Sequence, residues 1–131
     1  MDSVRIVATF AVALLASAAG AQQPPPLASD LLRSWYSGAS VDGTTETGAT
    51  FRAYHAPDGK ISAIVDGKVR NAGSWKFVEP NRICVSWSDT SWGKDPCFAV
   101  SADGEWWKIV DVADAGKFAR VKRIEGNFFG L

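Results

Sequence analysis

The chain has 131 residues, 47% of them hydrophobic and 21% charged, with 6 Trp and 7 Phe. That supplies apolar area for one core, argues against disorder and excludes a large multidomain enzyme. Lys plus Arg and Asp plus Glu balance at 14 each, so no net charge draws the chain to nucleic acid or to anionic lipid.

Residues 1 to 21 read as a signal peptide. Arg5 supplies a charged start, Ile6 to Ala16 an apolar run, and Ala19-Gly20-Ala21 the small side chains a signal peptidase accepts; cleavage is predicted before Gln22. The run is well short of the roughly 20 residues needed to cross a bilayer, so no membrane insertion is expected. The mature chain is expected to be soluble and periplasmic or secreted. Residues 22 to 28 carry Pro24, Pro25 and Pro26 in a row and predict an extended arm, a linker or tether.

Residues 29 to 131 form the single predicted domain. Ser29 or Asp30 is placed to cap a short helix, Leu31, Leu32, Trp35 and Tyr36 recur at helical spacing, and Gly38 ends it. Beyond Gly38, Asp-Gly steps at Asp42-Gly43, Asp58-Gly59, Asp66-Gly67 and Asp103-Gly104 accept the positive φ of tight hairpins. Glu79-Pro80-Asn81 and Gly116 mark further turns. Between them lie strands at 49 to 56, 60 to 66, 68 to 78, 81 to 88, 96 to 101, 105 to 112 and 117 to 125, with 38 to 43 as a candidate eighth. Short connections make sequential strands antiparallel neighbours. An open meander would leave edges that invite aggregation, so the fold class is all-β: an up-and-down meander of seven to eight strands closing into a small barrel, with a short N-terminal helix. A sandwich is the second choice.

Alternation assigns the faces. Val69, Trp75 and Phe77 share one face, as do Ile83, Val85 and Trp87, and Phe98 and Val100. Cys84 and Cys97 fall on the opposite parity, which predicts a cross-strand disulfide on the outer face. Export permits that pairing, and a loop of about 14 residues is worth roughly 3 kcal/mol. Two segments break the alternation: adjacent Trp106 and Trp107, and the run from Lys117 to Ile124. A bulge or burial on both sides accounts for either. Lys117, Arg120, Lys122 and Arg123 read as a solvated basic edge offset by Glu125.

The motifs Asp58-Gly59, Gly73-Ser74-Trp75, Cys84-Val85-Ser86-Trp87, Cys97-Phe98 and Gly126-Asn127 together resemble a family of small exported alphaproteobacterial proteins of unknown function. The resemblance covers about residues 30 to 131 and implies an exported, disulfide-bearing β domain, with no reaction attached. More loosely, the meander with Gly73-Ser74-Trp75 is similar to lipocalin and avidin barrels, which implies a ligand-carrying interior. In outline the chain also resembles small bacterial inhibitors of secreted proteases.

Catalytic chemistry finds little support. His55, the single histidine, shares parity with Phe51 and Ala53 and is predicted at the barrel mouth, where it could act as a base. No Gly-x-Ser-x-Gly elbow accompanies it, and no Gly-rich loop precedes a helix. Asp89 and Asp95 flank Trp92 but read as turn formers rather than a glycosidase pair. One histidine and two paired cysteines leave no metal set, and no cofactor is expected. Tryptophan is the signal above background: Trp87, Trp92, Trp106, Trp107 and His55 are the candidate ligand-binding residues. The expected function is a non-enzymatic binding domain for a small apolar or sugar-like ligand. The alternative is a protein-interaction module, such as an inhibitor of an exported hydrolase, that uses the arm or the disulfide hairpin as its wedge. A hollow interior lined by Trp75, Trp87 and Phe98 favours the first and a solid one the second.

Overall fold

The computed structural model describes residues 24–131. The predicted signal peptide, its cleavage site and the first two residues of the arm lie outside the described residues. Helix α1 (Ser29–Tyr36) precedes eight strands: β1 (Ala39–Thr45), β2 (Thr50–His55), β3 (Lys60–Val65), β4 (Val69–Val78), β5 (Arg82–Trp87), β6 (Cys97–Asp103), β7 (Trp106–Asp111) and β8 (Phe118–Glu125). Each strand pairs with the next, and β1 closes on β8, from Ala39 opposite Glu125 to Thr45 opposite Ala119, so the sheet is a closed antiparallel barrel. Among the described residues no helix is long and apolar enough to cross a membrane.

The even strand count puts the loops after β1, β3, β5 and β7 at one end and those after β2, β4 and β6 at the other. Helix α1 closes the second end, burying Leu32, Trp35 and Tyr36 among the inner side chains of the strands. Leu31, predicted with them, points outward and is 71% exposed, because one stripe of a two-turn helix is all the barrel end can cover. The N-cap position falls to Ala28, which has no side-chain cap; Ser29 and Asp30 lie inside the helix rather than before it. At the other terminus Gly38 takes a positive φ of 73°, and its N–H donates to the His55 carbonyl at 2.7 Å while its own carbonyl accepts from Gly126 at 2.9 Å. That glycine turns the chain from helix into barrel.

Three of the four Asp-Gly steps make turns. Asp66 and Gly67 both take positive φ, 52° and 66°, as a two-residue hairpin requires. Asp42-Gly43 does not turn; it lies within β1, which runs on to Thr45. The reason is closure. A Cβ on Gly43 would collide with the Arg120 carbonyl of β8, and one on Gly73 with the Ser86 carbonyl of β5. Both glycines let neighbouring backbones approach where the sheet coils.

Alternation holds along most of the sheet, with Val41, Ala53, Ile61, Ala63, Ile83, Val85, Val100, Ile109 and Val121 forming the core with the helix. Val69 keeps the parity of Trp75 and Phe77 but stands 52% exposed, because it is the first residue of β4 at the barrel's end. Neither irregular segment contains a bulge, since β7 pairs without a skip against β6 and β8. Trp107 faces in. Trp106 faces out and is covered by Lys122 at 4.8 Å and Arg120 at 5.6 Å, while Phe118 lies under Lys108 at 4.5 Å.

Arg123 is not part of a solvated edge. On the inner parity of β8, with its side chain 22% exposed, it donates to the Trp35 carbonyl at 2.7 Å and the Ser34 carbonyl at 3.2 Å and pairs with Glu125. A cation thereby satisfies the last carbonyls of α1.

The weakest seam joins β5 to β6, paired only at Ile83–Phe98 and Cys84–Cys97, and there the disulfide sits. Below it the strands part, and the arm fills the gap: the Leu27 N–H donates to the Val100 carbonyl at 2.7 Å and the Ser29 N–H to the Pro80 carbonyl at 2.8 Å. Leu27 packs on the core. The end of the predicted tether is therefore docked.

Candidate ligand-binding cavity

Alternating apolar strands fill an eight-stranded barrel only if the inward side chains are large enough. Here the helix fills one end and the other stays hollow. A cavity of about 250 Å³ lies between Tyr36, His55 and Ile61, at its floor, and Trp87, Trp92, Phe98 and the loop residues Glu46 and Lys117, at its open end. Phe51, Val85, Ile109 and Ala119 form the walls. The volume exceeds the ~150 Å³ that holds a benzene in an apolar protein cavity and falls below the ~300 Å³ at which drug-sized sites begin.

The open end is shaped by the β5–β6 connection. Asn71, buried on β4, receives the Asp89 N–H at 3.1 Å and donates to the Asp89 carbonyl at 2.9 Å. The Asp89 carboxylate accepts from the Ser91 N–H at 3.0 Å and opens the single 3₁₀ turn Thr90–Trp92, which holds the Asp89 carboxyl below its usual pKa. That turn sets Trp92 edge-on against Trp87 with ring centroids 4.9 Å apart. Asp95 accepts from the Ser86 hydroxyl at 3.0 Å. The rim carboxylates are likewise occupied: Glu46 accepts from the Phe118 N–H at 3.3 Å and Asp111 from the Ala113 N–H at 2.9 Å. Asp89, Asp95 and Asp111 accept within or beside their own loops, and Glu46 reaches across to the first residue of β8.

His55 is at the floor rather than the predicted mouth, because β2 enters at the open end and reaches His55 only where it meets α1. The ring is 3% exposed and edge-on to Tyr36 at 4.4 Å and Trp75 at 6.2 Å. Burial pushes its pKa down to about 3, against a hydrogen bond to the Ala39 backbone that acts the other way. The imidazole is thus neutral at physiological pH, and its Nδ1 has no hydrogen-bond partner. Burial also raises the Tyr36 phenol above its ordinary range.

Of the five candidate residues, His55, Trp87 and Trp92 come together around this cavity. Trp107 lies at the closed end, 5.5 Å from Trp35, and Trp106 on the outer face. Trp75 does not line the cavity either; it stacks on Tyr36 at 6.2 Å and donates its indole N–H to the Ala56 carbonyl at 2.9 Å. Sequence reasoning passed over Tyr36, Ile61 and Asn71. Tyr36 was legible as one helical neighbour of Trp35, and Asn71 as the polar residue on the otherwise apolar inward parity of β4. Among the described residues no three His, Cys, Asp or Glu side chains cluster as metal ligands. Set against protein-family models, curated proteins and solved structures, the chain matches none of them.

Proposed function

We propose that this chain is an exported binding domain that holds a small, mainly apolar ligand in the open end of its barrel and performs no covalent chemistry on it. The observation that carries the reading is the 250 Å³ cavity with aromatic and aliphatic walls inside a sheet closed at its other end by α1. Its polar groups support binding rather than turnover. His55 has no carboxylate to orient it, and a base whose pKa lies near 3 is a weak proton acceptor. The apolar walls offer few partners for a sugar's hydroxyls, so an apolar ligand fits better than a sugar-like one. Export is supported by the apolar leader and by the outer-face disulfide, which persists in an oxidising compartment, and periplasm or medium is the proposed location.

A ligand that buries about 200 Å² of apolar surface gains roughly 5 kcal/mol, equivalent to a dissociation constant of about 0.2 mM. Titrating the purified mature chain with small aromatic and alicyclic compounds, while following Trp87 and Trp92 fluorescence, is expected to give a saturable shift. Ile109→Trp, which fills the cavity, removes it. No shift with any compound class in the unsubstituted chain overturns the reading.

A further inference from the structure

We propose that the ligand of this cavity is a cationic amphiphile: an apolar ring that enters the cavity, joined by a short stem to a protonated amine that stays at the open end beside Glu46 and Asp111. The inference rests on the carrier reading and adds the chemistry of the ligand. Walls and mouth differ in kind. Phe51, Val85, Phe98 and Ile109 line the walls, which suit a ring and would strip a charge of its hydration without return. The charged lining residues, Glu46, Asp111 and Lys117, stand at the ends of three adjacent strands, β1, β7 and β8. Trp87 and Trp92 belong to β5 and the turn that follows it, across the barrel from β1. A bound molecule therefore meets aromatic rings on one side of the mouth and charge on the other.

Backbone bonds fix the charged sector. The Glu46 N–H donates to the Phe118 carbonyl at 3.0 Å and the Asp111 N–H to the Lys117 carbonyl at 3.0 Å, which sets one acidic residue on each side of the chain entering β8. Each carboxylate accepts one backbone N–H through one oxygen, from Phe118 for Glu46 and from Ala113 for Asp111. The second oxygen of each has no hydrogen bond among the described residues. Lys117 forms no ion pair with either carboxylate among the described residues, and one ammonium does not balance two carboxylates. The same sign runs round the rim: the four connections at this end carry five carboxylates and three lysines, and Asp111 at the end of β7 is a sixth acid. An anionic head would be repelled by that excess, and a neutral head would gain nothing from it. A cation gains from it, and at the mouth it keeps part of its water.

Three near-isosteric probes share a phenyl ring and differ in the charge of the head: 2-phenylethylamine, protonated at neutral pH, 2-phenylethanol, neutral, and phenylacetate, an anion. Calorimetric titration of the mature chain at low salt is expected to show the amine binding about fivefold more tightly than the alcohol and phenylacetate more weakly than either. Raising the salt to about 0.5 M should bring the amine and the alcohol to within about twofold, because exposed charges are screened. Glu46→Gln combined with Asp111→Asn removes both charges and keeps an amide oxygen to accept from Phe118 and Ala113; in it the ratio of amine to alcohol should fall toward one. The salt series needs no variant and stands if that one fails to fold. Equal binding of amine and alcohol, a phenylacetate that binds tightest, or a preference for the amine that survives the double substitution overturns this inference and leaves the carrier reading standing. So does failure of all three probes while other apolar compounds bind. Failure of the probes together with the wider compound panel overturns the carrier reading itself.

Discussion

The two ends of the barrel are built from the same material and do opposite things with it. At the closed end the aromatic side chains meet one another: Trp35 packs edge-on to Trp107 at 5.5 Å and to Tyr36 at 5.0 Å, and Tyr36 stacks on Trp75 at 6.2 Å. Arg123 secures the plug by taking the final carbonyls of α1. At the open end Trp87 and Trp92 touch each other at 4.9 Å, while Phe51 and Phe98 face a void. The difference lies in the helix, not in the strands. Eight strands enclose more space than their own inward side chains fill, and a helix of eight residues supplies enough bulk for one end only.

Unequal packing predicts unequal tolerance. Trp35→Ala, which empties the plug, should cost about 3–5 kcal/mol in urea unfolding. A cost below about 1 kcal/mol would mean that the closed end is no better packed than the open one. The disulfide comes next, because it staples the seam with the fewest paired residues. Its sequence separation of 13 makes its loss, by reduction or by Cys84→Ser with Cys97→Ser, worth about 3 kcal/mol in the chain-entropy account; chemical denaturation with and without reductant measures it.

His55 sits on the boundary between the two ends and gives stability a pH dependence of known sign. Its folded pKa, about 3, lies below the ordinary histidine value of 6.5, so between those values the unfolded chain binds a proton that the folded one does not. Stability contributed by the neutral ring is intact above about pH 6.5 and declines as pH falls, with a limiting slope of about 1.4 kcal/mol per pH unit. Carboxylates titrate in the lower part of that window, so the measurement is the difference between the parent chain and His55→Phe from pH 7 to pH 4. Parallel curves would place His55 in contact with water. The smallest effect is expected at the rim: Trp92→Ala should change unfolding free energy by less than about 1 kcal/mol while weakening the fluorescence-detected binding of apolar compounds.

Much of the architecture was legible because it rests on local rules. Period-two alternation exposed the inward faces of β5 and β6, the Asp-Gly pairs at 58, 66 and 103 marked hairpins, and the opposite parity of Cys84 and Cys97 placed the bridge outside. Failures occurred where distant strands meet. Asp42-Gly43 carries the composition of a turn but serves the close approach of β8. Arg123 has the composition of a solvated edge but reaches a helix end 88 residues earlier. Adjacent Trp106 and Trp107 cannot both face in, and composition alone does not choose between them.

By itself the sequence narrowed the strand count to seven or eight and determined the hairpin order and the covalent staple, since each depends on neighbours along the chain or on side-chain parity. Only the tertiary structure decided which end the helix stops, which tryptophans were left around empty space, and that His55 lies deep with an unused nitrogen. Those outcomes depend on how much volume remains after every element has closed against every other, and no local pattern encodes a volume.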